Sequence, residues 1–464
     1  MRKNILWRGI ALLAVSAMLA GCSDTGAVEN AENFGDETQQ VVNSSEGAES
    51  QNEDESQSSE GTDQTQEGIG QMDEVEVVDV DLETFHADPM NLKDSWQRAA
   101  FFADWVYAEQ RKNVLVSPLS LNMALGLVAE GASGETAKQL HEYLGREDYT
   151  SYVDQYLEFA EGLAVKKGEN RYNEEYSFRY EIANSLWVNQ ENQLLADYQK
   201  KVQKAFRAEV QPADFEVDIS GTVRKINDWC SEKTHKLIPK IVKESDISPE
   251  LKAILINSLY FESPWVDQWH VGEGEFTAAS GDKTTQEMLF GSADCYYEND
   301  KATAFAKAYS NGFRFIGILP KETGEFNILD LDLESLMASE SYDYRVSARM
   351  PKLNFDTTES AVERIIQAQG IELPFSFNSE IDGIIEDNNL YISQIVQKCK
   401  IELDENGTKA AAVTAIMLRA TGMAPQQEVK EVVLDRPFAF MIYDTNNDEI
   451  LFLGKVTEPC KETD

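Results

Sequence analysis

The stretch from Leu390 to Ala415 reads LYISQIVQKCKIELDENGTKAAAVTA, and its last third consists almost wholly of small residues. If this part is extended, its side chains alternate between two faces, because successive residues of a strand point in opposite directions. The first face would carry Thr408, Ala410, Ala412, Thr414 and Ile416. The second would carry Lys409, Ala411, Val413, Ala415 and Met417. Alanine is also the best helix former, so the run also allows a turn of helix. Helix propensity alone favours this second possibility.

Outside this stretch, the apolar pattern changes along the chain. Helical spacing predicts a helix over Leu92 to Tyr107, another that starts at Pro118 and ends near Gly131 or Gly134, and a third over Val223 to Thr234. Strand-like runs occupy 113–116, 182–188, 254–261, 313–319, 344–355 and 450–456. Helices therefore gather early and strands late, which predicts an α+β domain with large, mostly antiparallel or mixed sheets.

Eight local motifs follow one another in a fixed order along this domain. They are the SPLS segment within Asn113 to Leu144, IANSLWV from Ile182, INDWC from Ile226, LINSLYFESPW ending at Trp265, FIGILP ending at Pro320, MPKLNF from Met350, the stretch from Leu390, and DRPFAFMIYDTNNDEILFLGKV from Asp435. Together they resemble the serpin family from Leu92 to about Pro459. The resemblance implies the serpin fold over residues 89–464, with three β-sheets, about eight or nine helices and an exposed reactive-centre loop at about residues 405–427.

In inhibitory serpins, the alanine-rich stretch is a hinge that slides into the main sheet after a protease cuts the loop. Insertion into a packed sheet tolerates only small side chains on the inward face, because overpacking costs roughly 1–3 kcal/mol per site. The implied hinge residues satisfy this demand, and Lys409 would point outward; they are Glu405, Gly407, Thr408, Ala410, Ala411, Ala412 and Thr414. We therefore expect a monomeric, irreversible inhibitor that traps a serine protease as an acyl-enzyme, with no enzymatic activity and no cofactor. A non-inhibitory serpin that binds other molecules at the surface is the alternative.

The position of the reactive bond follows from counting. In the family the bond lies about seventeen residues from the hinge glutamate, and counting Glu405 as one gives Thr421, followed by Gly422. A small, β-branched residue there suits a shallow pocket of the elastase or subtilisin kind. Because the loop from 407 to 428 is about two residues longer than in some relatives, other registers stay open. These are Arg419 for a trypsin-like enzyme, Met423 for a chymotrypsin- or elastase-like one, and Ala420 between them.

The resemblance also implies structural roles for residues outside the loop. Those that match the polar cluster beneath the opening point of the sheet are Ser117, Ser120 and Asn257, with Gln397 where many members have histidine. Trp265 matches the tryptophan at which insertion begins, and Lys352 pairs with Glu405 at the base of the hinge. Lys236 stands where a glycine is common.

The N-terminus reads as an export signal. Arg2, Lys3 and Arg8 precede an apolar run over 10–20 that is too short to span a bilayer. Leu19-Ala20-Gly21-Cys22 resembles a bacterial lipobox, which implies that residues 1–21 are removed and that Cys22 is lipidated; an ordinary cleaved signal is the alternative. Two or more acyl chains give stable anchoring, so the resemblance implies a protein held at the bacterial cell surface.

Residues 22–88 form a very acidic segment. Positions 23–88 contain 20 Asp and Glu and no Lys or Arg. These 20 negative charges are nearly half of the formal net charge of -41. Such a composition buries too little apolar surface to fold, so we expect a disordered tether. The acidic balance also argues against nucleic acid as a partner.

Cysteine and histidine spacing excludes several kinds of site. Cys230, Cys295, Cys399 and Cys460 show no zinc-ligand spacing; they allow one disulfide or isolated thiols, and the spacing does not choose between them. The four histidines are His86, His141, His235 and His270, and none lies in a metalloprotease motif. No GxSxG elbow or phosphate-binding loop is present. We therefore expect no metal site and no catalysis.

Overall fold

The computed structural model describes residues 85, 88–92, 94–146, 148–164, 168–169, 175–176, 178–386, 390–408 and 427–460. All of them belong to one unit of the chain, Val75–Asp464. Within these ranges there are eight α-helices, and six of them lie before residue 234: α1 Ser95–Gln110, α2 Pro118–Gly131, α3 Gly134–Leu144, α4 Tyr149–Ala164, α5 Ala196–Phe206, α6 Ile219–Lys233, α7 Leu333–Met337 and α8 Val362–Ala368.

Capping residues decide where the first helices begin. The predicted helix over Leu92 to Tyr107 starts at Ser95 because Asp94 caps it, accepting a hydrogen bond from the Gln97 backbone N–H at 2.8 Å. Ser117 caps α2 in the same way, and Pro118 occupies its first position, where no backbone donor is needed.

The strands form three large sheets in the described residues, together with a two-stranded ladder. In chain order they are β1 Val114–Val116, β2 Gly168–Glu169, β3 Glu175–Tyr176, β4 Arg179–Asn189, β5 Glu209–Ala213, β6 Ala253–Pro264, β7 His270–Thr277, β8 Lys283–Ala293, β9 Cys295–Glu298, β10 Ala302–Ala308, β11 Arg314–Pro320, β12 Arg345–Pro351, β13 Leu353–Glu359, β14 Gln394–Leu403, β15 Gly407–Thr408, β16 Val429–Val433, β17 Phe438–Asp444 and β18 Glu449–Val456.

We call the sheet with the order β13-β14-β15-β6-β4-β5 the central sheet. A second six-stranded sheet has the order β1-β18-β17-β11-β10-β9, and a four-stranded sheet has the order β16-β12-β8-β7. The predicted α+β class and the three sheets are thereby confirmed. The single strand predicted over 344–355 is in fact two, because the chain leaves the four-stranded sheet at Pro351 and enters the central sheet at Leu353.

Both faces of the central sheet are buried. Its inner face joins the main hydrophobic core, to which β4 contributes Leu186 and Val188. Its outer face is covered by α6 and by the connector that follows it, residues 234–252. These pack on a second cluster of apolar side chains from four strands: Ala183 and Trp187 of β4, Ala213 of β5, Ile254, Ile256 and Tyr260 of β6, and Val396 of β14. Strands buried on both faces explain why the sequence of β6 is an almost continuous apolar run.

The connector begins with strained backbone. His235 has φ 48° and Lys236 has φ 67°, so two consecutive residues other than glycine adopt the left-handed conformation. The His235 ring lies 2.8 Å from the Glu181 carboxylate and packs edge-on against Tyr260, with 5.0 Å between the ring centres. Lys236 therefore occupies a position that suits glycine, as the family comparison implied.

Contacts with the folded part begin before residue 89. Phe85 is buried, and its ring lies 4.9 Å from that of Phe101 and 6.1 Å from that of Trp105. No helix in the described ranges is both long enough and apolar enough to cross a membrane.

Candidate functional site

The centre of the central sheet contains a seam, which we define as the facing edges of β6 and β14. These two strands pair directly, and in parallel, only over residues 254–258 and 394–398. Above this closed part, residues 259–262 and 399–402 have no ladder partner across the seam among the described residues. An edge of this kind can accept an additional strand.

The short strand β15 enters the seam from its open end. Thr408 pairs with Leu403 of β14 and with Ser263 of β6, and Gly407 pairs with Pro264. Both pairings are antiparallel. The Thr408 side chain is 3% exposed and points into the core. The chain that leads into the loop has therefore already started a new strand between β6 and β14.

A tight turn connects β14 to β15. The Asp404 carboxylate accepts hydrogen bonds from the backbone N–H groups of Asn406 at 2.7 Å and Gly407 at 3.3 Å. A Cβ atom on Gly407 would lie 2.3 Å from the Ser263 carbonyl oxygen. Only glycine allows the backbone to approach β6 this closely.

The segment that follows β6 donates hydrogen bonds to the backbone carbonyl groups of this turn. The Trp265 indole donates to the Asp404 carbonyl at 2.9 Å, and the Trp265 backbone N–H donates to the Asn406 carbonyl at the same distance. The Trp269 backbone N–H donates to the Glu405 carbonyl at 3.1 Å. The segment after β6 therefore binds the turn mainly through the backbone of the turn, so most side chains of the turn do not take part.

Lys352 reaches the turn from the junction of β12 and β13. Its ammonium lies 3.0 Å from the Glu405 carboxylate and 2.9 Å from that of Glu287. Partial burial works against its charge, but hydrogen bonds to both carboxylates raise the pKa of Lys352 above its usual value. The ion pair expected from the sequence is present, although its partial exposure keeps its contribution to stability small.

Below the open part of the seam lies a buried polar cluster that links three strands to α2. Asn184, Asn257 and Gln397 form one row, because Asn257 pairs in register with both of the others. The Gln397 amide donates to the Asn257 side-chain oxygen at 2.6 Å and to the Ser117 carbonyl at 3.0 Å. Its oxygen accepts from the Ser117 backbone N–H at 2.9 Å. Gln397 therefore uses donor and acceptor together, which a single histidine nitrogen does not do.

The Asn257 amide completes the cluster. It donates to Ser120, at 2.8 Å to the carbonyl and 2.5 Å to the hydroxyl, and to the Asn184 oxygen at 2.5 Å. The structure thus brings together the four residues singled out from the sequence, namely Ser117, Ser120, Asn257 and Gln397. It adds Asn184, which sequence reasoning missed although the residue lies in the IANSLWV motif.

Two further residues at the open end were not foreseen. Tyr309 stacks on Trp265, with 4.2 Å between the ring centres, and its hydroxyl lies 2.6 Å from that of Thr408. Gln268 donates to the Asn406 side-chain oxygen at 3.1 Å. Neither residue lies in a motif that points to a role, since their partners lie 99 and 138 residues further along the chain.

Several predicted residues lie outside the described ranges. They are the rest of the hinge, namely Ala410, Ala411, Ala412 and Thr414, the candidate reactive-bond residues Arg419, Ala420, Thr421, Gly422 and Met423, and the lipidation candidate Cys22.

The four cysteines of the described part are free thiols. Burial raises the pKa of Cys230 to about 12 and that of Cys295 to about 11, and it also raises the pKa of Cys399 and Cys460. Because the thiolate is the reactive form, burial disfavours the reactive state of these side chains.

Comparisons with known proteins agree with this geometry. Residues 99–459 match the family model described as Serpin (serine protease inhibitor). A serine protease inhibitor of Cyanea capillata is 29% identical over 376 residues, which cover 78% of this chain and 96% of the relative.

Solved structures share the fold. The native state of tengpin, a thermophilic serpin, is 28% identical and superimposes with a TM-score of 0.66 over 79% of this chain and 95% of its own. Human thyroxine-binding globulin in complex with its ligand is 22% identical, with a TM-score of 0.67 over 81% and 100% of the two chains. The family model covers well over half of the sequence, and the strand order and hinge lie within the matched residues. This chain belongs to the serpin family.

Proposed function

We propose that this protein is an irreversible inhibitor of serine proteases that acts as a suicide substrate. The observation that carries the proposal is the seam. Among the described residues, 259–262 of β6 and 399–402 of β14 have no ladder partner across it, and the start of the loop already lies between the two strands. Serpins generally inhibit proteases and are not catalytic enzymes, so a protease is the expected partner.

The first step is ordinary acyl transfer. The protease serine attacks the carbonyl carbon of the bait residue, the peptide C–N bond breaks, and the amine of the next residue leaves with a proton. The bait residue is then joined to the enzyme as an ester. Water would normally hydrolyse this ester and release the enzyme.

The second step is insertion of the freed loop into the seam. The inserted strand would continue β15, which is antiparallel to both neighbours, so one parallel pairing would be replaced by two antiparallel ones. Antiparallel pairing is slightly more stable per residue, and the strand would satisfy backbone groups that the open seam leaves unpaired. About fourteen inserted residues at about 3.3 Å each would carry the attached enzyme roughly 45 Å. Distortion of the protease site then stops hydrolysis of the ester.

The buried Thr408 sets which side chains would face the core. Because the period of a strand is two, Ala410, Ala412 and Thr414 would follow Thr408 inward, and Lys409 would point outward. These four inward residues of the hinge are small, which supports the start of insertion without overpacking.

The proposed bait is Thr421, with cleavage before Gly422 and a preference for elastase- or subtilisin-like proteases. Arg419, Ala420 and Met423 are the alternative registers. This assignment rests on the count from Glu405 and is supported by the ion pair that Glu405 forms with Lys352.

A non-inhibitory binding protein is the second candidate, and the fold itself allows it, since thyroxine-binding globulin has the same architecture. The hinge favours inhibition, because neither proline nor a bulky inward residue interrupts it.

We also propose where the inhibitor acts. Residues 1–21 would be an export signal and Cys22 a lipid anchor. The acidic tether predicted over residues 22–88 would end before Phe85, which is buried in the folded part, and would hold a monomeric serpin domain outside the bacterial cell. Replacing Cys22 with alanine should release the protein from the membrane fraction, whereas retention of the variant there would contradict the anchor.

The inhibitor proposal is tested by incubating the domain with elastase, subtilisin, chymotrypsin and trypsin. We expect a covalent complex that survives denaturant with at least one of them, with the cut mapped by mass spectrometry. The variant Thr408→Arg places a charged, bulky residue on the inward face, so it should be cleaved without forming the complex, and Thr408→Ser serves as the conservative control. Clean cleavage by all four enzymes with no complex would refute the proposal.

A further inference from the structure

Tyr309 lies at the open end of the seam, directly after β10. Its ring is sandwiched in the core, stacked on Trp265 and edge-on to Phe261, with 5.1 Å between the latter ring centres. The residue is 1% exposed. A tyrosine buried this deeply needs a partner for its hydroxyl group.

That partner is the hinge. Among the described residues, the Thr408 hydroxyl is the only hydrogen-bond partner of the Tyr309 hydroxyl, at 2.6 Å. Burial raises the pKa of Tyr309 well above its usual value, so the group stays a neutral hydroxyl under physiological conditions. The contact therefore joins two buried hydroxyl groups, one from the core and one from the chain that leads into the loop.

The other contacts of the turn have a different character. Trp265 and Trp269 hold the backbone carbonyls of residues 404–406, before the hinge enters the sheet. Thr408 is the first hinge residue whose side chain enters the core, and its hydroxyl meets a matching group there. If Thr408 left the seam, the Tyr309 hydroxyl would lose this partner while remaining in an apolar environment, which is unfavourable.

We propose that Tyr309 is a positioning residue that docks the hinge before cleavage. Its hydroxyl holds Thr408 in the seam, so that insertion starts from a strand that is already begun. This inference rests on the proposed inhibitory function, because it describes how the same loop starts its insertion.

Three variants separate a docking contact from general stability. Thr408→Val keeps the shape but removes the hydrogen bond, and Tyr309→Phe would leave the Thr408 hydroxyl buried without a partner. Both should weaken docking by roughly 3- to 10-fold. The double variant removes both hydroxyl groups and leaves an apolar pair of similar shape, which should restore docking to within about twofold of the parent.

Docking is measured in the free protein by hydrogen exchange of the Thr408 amide, followed by mass spectrometry of fragments. The single variants should exchange faster, and the double variant and Thr408→Ser should return toward the parent. Tyr198→Phe is the matched control, because Tyr198 is also buried and donates to the Leu127 carbonyl at 2.7 Å, away from the hinge. It should lower thermal stability without changing exchange at Thr408.

The consequence for inhibition is measured with the protease that forms the complex. The number of inhibitor molecules consumed per enzyme inactivated should rise in both single variants and fall again in the double variant. The docking role would be overturned if the Thr408 amide exchanged at the parent rate in the single variants. It would also be overturned if this amide exchanged as fast in the double variant as in the single variants. Hydrogen exchange decides this even if no protease forms a complex, an outcome that would contradict only the inhibitory function.

Discussion

At the residue scale, the polar cluster depends on three of the hydrogen bonds of Gln397, whose oxygen also accepts from the Cys399 thiol. This side chain is 2% exposed and satisfies both backbone groups of Ser117 as well as Asn257. Replacing it with alanine leaves the Ser117 N–H and the Asn257 side-chain oxygen buried without partners, at roughly 1–3 kcal/mol each, whereas the Ser117 carbonyl keeps its hydrogen bond from the Leu121 N–H.

We therefore predict that Gln397→Ala lowers the free energy of unfolding by roughly 2–4 kcal/mol. The urea midpoint of the purified domain measures the effect. Gln394→Ala is the control on the same strand, because it removes a bond to the Ser360 carbonyl and should cost about 1 kcal/mol. Equal losses in the two variants would contradict the special role of Gln397.

Residue chemistry also shows what the sequence could reveal about the site. Ser117 could be predicted as a helix cap from its own neighbours, and parity alone placed Thr408 and Lys409 on opposite faces. The contact between Tyr309 and Thr408 joins residues 99 positions apart. No local pattern encodes such a contact, since it exists only once the sheets have packed.

At the element scale, α6 and its connector lie across the lower seam, with Ile254 and Ile256 from β6 and Val396 from β14 beneath them. A strand that passes between β6 and β14 must disturb this packing. The strained pair of His235 and Lys236 lies at the start of the same connector.

We predict that Lys236→Gly stabilises the native state by about 0.5–1 kcal/mol. Glycine adopts the left-handed conformation without strain, and this gain exceeds the loss that comes from the larger conformational entropy of glycine in the unfolded chain. The shift of the urea midpoint measures the gain. Lys240→Gly, at another exposed lysine of the connector, should be neutral or destabilising. A loss of stability in Lys236→Gly would show that the backbone there is not strained.

The base of the central sheet depends on a carboxyl group from α8. Glu363 accepts a hydrogen bond from the Ile395 backbone N–H at 2.8 Å, beside the last residue of β13. Burial raises the pKa of Glu363 to about 7, and the Glu359 charge adds to the rise. Burial and Glu109 raise the pKa of Glu359 as well.

Because the folded pKa of Glu363 exceeds the unfolded one, the stability it contributes is fully present below the unfolded value and is lost as the pH rises through about 7. We predict a urea midpoint that falls as the pH rises from about 4.5 to about 7 and then levels off. Glu363→Gln should flatten this fall, and the exposed Glu135→Gln should not. An unchanged pH dependence in Glu363→Gln would contradict the assignment.

Element boundaries mark the limit of prediction from periodicity. Strong apolar runs such as that of β6 were foreseen, but the break at Lys352 was not, because β12 and β13 form one continuous strand-like run although they belong to different sheets. The number of sheets followed from the family resemblance, but their strand order was not predicted, since the alternation of side chains does not say which strands are neighbours.

At the scale of the whole molecule, the central sheet of the described residues is open along the upper part of the seam. The described part of the chain pairs β6 directly with β14 over only five residue pairs, with β15 inserted above them. A cut in the loop would free about ten further residues to form ladder hydrogen bonds, each contributing about 1 kcal/mol net. The cleaved, inserted form should therefore be the more stable one.

The most direct test is the thermal midpoint of the domain before and after a single cut within residues 409–426, with the site of the cut verified by mass spectrometry. If the loop fills the seam, the midpoint should rise by about 10–20 °C or more, since roughly 10 kcal/mol is gained in a domain of this size. A cleaved protein that unfolds at the same temperature as the intact one, or below it, would contradict insertion and with it the inhibitory mechanism.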